Sequence, residues 1–95
     1  MRPLPHTQDF KDIAKRIIWF EPPEVALCNA VRFMAYAFRY ATFEDMQILR
    51  RHFNDDDLLS ALTTAPPGII DARSWSYWHV LLGVFPPPSQ KQRVY

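Results

Sequence analysis

Glycine is scarce in this chain of 95 residues: only Gly68 and Gly83 are present. Two isolated glycines cannot build a loop that wraps phosphates, which excludes the nucleotide-binding folds that depend on one. Cysteine is scarcer still. Cys28 stands alone, so there is neither an internal disulfide framework nor a zinc site of several cysteines. A lone thiol fits a reducing cytoplasm. An excess of charge is missing too. Eleven Lys and Arg face ten Asp and Glu, a net charge of +1, whereas general binders of nucleic acid are strongly basic. No apolar run approaches the roughly 20 residues that cross a bilayer, and the opening MRPLPHTQDF lacks the apolar stretch of a secretory signal. These absences predict a cytoplasmic protein with no membrane partner and no cofactor.

What is present is apolar. Hydrophobic residues make up 48% of the chain, enough to exclude wholesale disorder. The length allows one domain, near the size at which a single core only just stabilises a fold. The nine prolines fall in clusters at Pro3 and Pro5, Pro22 and Pro23, Pro66 and Pro67, and Pro86 to Pro88. Prolines stop helices, and the intervals between these clusters read with a period near 3.6. The class is therefore all-α: a compact bundle of five or six short helices over residues 1–85, followed by a Pro-rich extended tail over 86–95.

Phe10, Ile13, Ala14, Ile17 and Ile18 lie on one face of the first helix, with Thr7 as its N-cap. Pro23 suits the first turn of a short second helix. Asn29 caps a third in which Val31, Met34, Ala35 and Phe38 form a stripe, widened by Phe33, Ala37 and Tyr40; so apolar a helix has to be central. Thr42, followed by Glu44 and Asp45, starts the next helix, with Met46, Leu49 and Phe53 inward and Arg50, Arg51 and His52 at its end. Leu58, Leu59, Leu62 and Ala65 follow an acidic start at Asp55 to Asp57. Asp71 caps the last helix, whose inner face holds Trp75, Trp78, His79 and Leu82, and Gly83 ends it.

The chemistry-bearing residues are dispersed. His6, His52 and His79 are far apart in sequence, and none pairs with Cys28 at ligand spacing. His52 reads as a solvated cation or cap, and His79 as a core residue. Asp55 to Asp57 lack the alternating ligands and central glycine of a calcium loop. No nucleophile has a base beside it, so no enzyme activity is expected. The same three aspartates open the second helix of a helix–break–helix unit, where carboxylates would face phosphate, which counts against DNA reading there. Fourteen aromatics in so short a chain either over-pack the core or leave Trp19, Phe20, Phe43, Trp75 and Trp78 in part at the surface, beside arginines, as in a protein–protein patch.

Two stretches carry a resemblance. Tyr40-Ala41-Thr42-Phe43-Glu44-Asp45, running on to Leu49-Arg50-Arg51, fits Y-[GA]-T-x-E-D-x-x-x-L-R-R. Ala65 to Gly83 fits A-P-P-G-I-x-D-x-R-S-W-x-Y-W-H-x-x-L-G. Between Trp19 and Val84 the chain resembles a family of small bacterial proteins encoded beside nucleotidyltransferase-like toxins of the abortive-infection (AbiEii) type. Ala41 stands where glycine is more frequent, and residues 1–18 fall outside the match. The resemblance implies an antitoxin that neutralises such a toxin by direct contact. It brings no catalytic residues. The surface expected to meet the partner combines Arg50, Arg51, Arg73, Trp75 and Tyr77 with Lys91, Arg93 and Tyr95 of the tail, because arginine and aromatic side chains supply most interface hot spots. The alternative is a DNA-binding helical regulator of its own operon.

Overall fold

Thr7 begins the first helix. Its hydroxyl accepts from the Phe10 amide, and α1 runs Gln8–Ile17. Pro22 and Pro23 then impose a break, and Pro23 sits in the first turn of α2, Pro23–Ala26. The Asn29 side chain accepts from the Arg32 amide at 3.1 Å and opens α3, Ala30–Tyr40. Thr42 and Asp45 form a reciprocal capping box at the head of α4, Phe43–His52. Asn54 and Asp57 repeat the device at the head of α5, Asp55–Thr63. The last helix, α6, is Ala72–Leu81. The computed structural model describes residues 2–90, and among them there are six helices and no strand.

The helix period decides the core. Phe10, Ile13, Ala14, Ile17 and Ile18 are all buried, the last four completely. Each fully buried isoleucine contributes about 1.5–3 kcal/mol, so α1 is a main support of the fold. It packs on α2 and α3; α3 packs in turn on α5 and α6, and α5 on α6. The expected central position of α3 is observed, with Phe33, Met34, Ala35, Ala37 and Phe38 buried. Tyr40 departs from its expected place in that stripe. It is exposed and stacks on Tyr36 at 6.4 Å, because the stripe's edge has turned towards solvent by the end of α3. The radius of gyration, 12.7 Å, matches the scaling for a compact chain of this length, about 12 Å.

Both ends of α6 rest on particular residues. Asp71 stands at the N-cap position, as expected, yet its side chain makes no capping hydrogen bond and its Oδ1 is buried without a partner. The nearby Ser74 hydroxyl, and less strongly the Arg39 charge, hold its carboxyl below the ordinary value. At the other end Gly83 adopts φ +92°. Its amide donates to the Val80 carbonyl and that of Val84 to the His79 carbonyl, the paired closure that a left-handed residue after a helix allows.

Beyond Gly83 the chain does not extend freely. The Trp75 indole donates to the Pro88 carbonyl at 2.7 Å, and the Gln90 amide reaches the Ile70 carbonyl. The segment from Pro86 to Gln90 carries no helix and lies back against α6 and the loop before it. Lys91, Arg93 and Tyr95 lie outside the described residues.

Candidate protein-binding surface

Residues 43, 46, 47 and 50 fall on one side of α4 by spacing alone. The Thr42 capping box fixes the start of that side. Across from it, α6 is anchored by its own inner face: the Trp78 indole donates to the Phe38 carbonyl at 2.8 Å, and the two rings lie 5.4 Å apart. With Trp75 and His79 turned inward, Tyr77, Val80 and Leu81 must point outward. The two helices leave a groove of about 260 Å³ between them, lined by Phe43, Met46, Arg50, Tyr77, Trp78 and Leu81, with Gln47 at its side. It continues over Ala41 and Thr42 at the head of α4. Phe43 is 75% exposed and Tyr77 58%.

Among the described residues Arg50 is the only charged one lining this groove. Its guanidinium donates to Asp55 Oδ1 at 3.1 Å, and both side chains are largely open to water. Such an exposed pair is weak, because water competes for both ends and holding two side chains costs entropy.

Of the residues expected to meet a partner, Arg50 and Tyr77 are brought together here. Arg51 and Arg73 are exposed; Arg73 lies one turn before Tyr77 on α6. Trp75 is a correction. It is only 7% exposed, and its ring contacts that of His79 at 4.4 Å, so it serves the core and cannot be a surface anchor. Of the other aromatics weighed for the surface, Trp19, Phe20 and Phe43 reach it and Trp78 does so in part. Leu81 and Val80 escaped the sequence reading, although their spacing from Tyr77 (i+4 and i+3) was the available signal.

A second aromatic group lies elsewhere. Trp19, Phe20, Tyr36 and Tyr40 form a closed circuit of ring contacts at 5.4–6.4 Å. The Arg32 guanidinium lies 5.4 Å from the Tyr36 ring, and its bidentate bond to Glu21 raises its pKa. Arg39 covers Tyr40 at 5.0 Å and donates to the Ile69 carbonyl. Here the cations are already engaged, one with a carboxylate and one with a backbone carbonyl.

His52 and His79 are packed into the fold, whereas His6 is exposed. His79 is buried, its Nδ1 2.8 Å from the Trp75 carbonyl and its Nε2 without a partner. His52, read as a solvated cation or cap, is less open to water than its place at the end of α4 suggests. Its ring is half-buried between Phe10 and Phe53, at 5.4 and 4.5 Å. Among the described residues no group of three His, Cys, Asp or Glu side chains could hold a metal ion. Cys28 is exposed, with its thiol donating to the Glu24 carbonyl one turn back. Among the described residues no helix is long and apolar enough to cross a membrane. Comparison with protein-family models finds no match, and neither does comparison with curated proteins or with solved structures.

Proposed function

We propose that this chain is a small protein-binding module, the antitoxin that neutralises a nucleotidyltransferase-like toxin by direct contact through the α4–α6 groove. The observation that carries the binding role is the groove itself. Large aromatic and aliphatic side chains stay exposed and contiguous with an arginine at the edge, in a chain small enough that burying them would have strengthened its core. Contiguous exposed apolar surface of this kind marks interaction sites. The toxin as partner rests on the resemblance carried by Tyr40 to Arg51 and Ala65 to Gly83. DNA binding is the weaker reading, since α5 opens with Asp55, Asp56 and Asp57 where a groove-reading helix would meet phosphates.

Calorimetric titration with the product of the adjacent reading frame tests the proposal. Wild type is expected to bind and to suppress the toxin's activity. Tyr77→Ser and Phe43→Ser should each weaken binding at least tenfold, about 1.4 kcal/mol, with no loss of helical signal. A gel shift with the chain's own promoter, and no binding to the neighbouring product, would replace this reading with the DNA-binding one.

A further inference from the structure

The groove has a chemistry specific enough to describe its occupant. Along α4 its lining spans Phe43 to Arg50, seven residues and so about 10.5 Å, two helical turns. Its walls are two helices, and among the described residues no strand offers an edge for an extended peptide to pair with. The groove, about 260 Å³, continues over Ala41 and Thr42 at the head of α4. A two-turn apolar trough between helices suits a helix laid along it, engaging it through residues spaced i, i+3 or i+4, and i+7.

Charge narrows it further. Among the described residues Arg50 is the groove's one charged group, and its partner Asp55 belongs to the next helix and is 67% exposed at its side chain. The arginine is therefore pre-positioned at the groove's edge by a contact weak enough to exchange. A carboxylate arriving on an apolar helix would gain a partner that is partly desolvated by the same docking, which strengthens the new pair relative to the old one. A neutral helix has nothing to offer Arg50 in exchange for Asp55.

We infer that the α4–α6 groove receives an amphipathic helix of the partner, and that an acidic residue on this helix takes Arg50 from Asp55. The inference rests on the proposed function and adds to it the form and charge of the partner's contact. Asp55 acts as an internal competitor, so the intramolecular pair sets a threshold that a neutral helix does not overcome.

The experiment measures affinity for the adjacent gene product across a charge series at position 50 and at its competitor. Arg50→Gln should weaken binding about threefold and Arg50→Glu at least tenfold. Asp55→Asn, which frees Arg50, should tighten it about threefold, a gain that a purely structural role for Asp55 would not give. Both side chains are exposed, and unchanged melting curves confirm that the fold is intact. If wild type binds but the series is flat, or Arg50→Glu tightens binding, the acidic helix is wrong while the binding module stands. If wild type does not bind, both fall. Sedimentation of the chain alone supplies the remaining arm: a dimer dissociated by Tyr77→Ser would assign the groove to a second copy and overturn the inference.

Discussion

At the scale of single residues, the Arg16–Asp45 pair shows why two partners in one contact are not equivalent. Asp45 is 2% exposed, while half of the Arg16 side chain remains in water. Burial alone pushes the Asp45 carboxyl up. The Arg16 hydrogen bond, the Thr42 amide and the Arg16 charge together outweigh this and hold it below its ordinary 3.8. Because the unfolded chain binds the proton more readily, the pair's contribution is fully present above that value and is lost as the pH falls through the folded one. Removing Arg16 strands a buried carboxylate, whereas removing Asp45 leaves an arginine that water can solvate. Arg16→Met should therefore cost about 3 kcal/mol, and Asp45→Asn nearer 1 kcal/mol, mainly from the capping box. Urea denaturation at neutral pH checks the order. Repeating it on acidification should show a smaller acid-side fall in stability for Arg16→Met than for the wild type, the part due to Asp71 remaining.

At the scale of elements, starts and stops were legible where one side chain decides them. Thr7, Asn29, Thr42, Pro23 and Gly83 each act through a local bond or dihedral that their own type dictates. Asp71 was legible as a position but not as a bond: it stands at the N-cap, yet its side chain makes no capping hydrogen bond. Three prolines in a row predict an extended tail. Nothing local announces that the Trp75 indole, itself in need of an acceptor inside an apolar face, would find one in the Pro88 carbonyl. Deletion after Phe85 should accordingly orphan that buried donor and destabilise the fold by about 1–3 kcal/mol. Thermal melting of the shortened chain tests this; an unchanged midpoint would mean that the 86–90 segment adds nothing.

At the scale of the whole molecule, the all-α class was readable because proline spacing and helical period agree along the entire chain. The groove was not readable as a place. Arg50 and Tyr77 are 27 positions apart, and only the tertiary fold sets α4 and α6 beside each other. The family-like stretch begins at Trp19, but the core does not respect that boundary: Ile13, Ala14, Ile17 and Ile18 from the preceding stretch are completely buried. Several buried residues at about 1.5–3 kcal/mol each exceed what a domain of this size has in reserve. A fragment from Trp19 to the C-terminus should thus lack a cooperative melting transition and the dispersed amide spectrum of the full chain, both measurable on the purified fragment.

The helix starts have a further consequence, which concerns time. In α1, α3, α4 and α5 the capping side chain reaches an amide only three residues ahead: Thr7 to Phe10, Asn29 to Arg32, Thr42 to Asp45, and Asn54 to Asp57. These boundaries are set by neighbours in sequence and need no distant contact to define them. What remains is the docking of short, already delimited helices, and helical domains dominated by local contacts complete that search in about microseconds to milliseconds. The chain therefore spends little time with its core strip of isoleucines and phenylalanines uncovered, so a sequence with so many aromatics can fold before those surfaces meet one another between molecules.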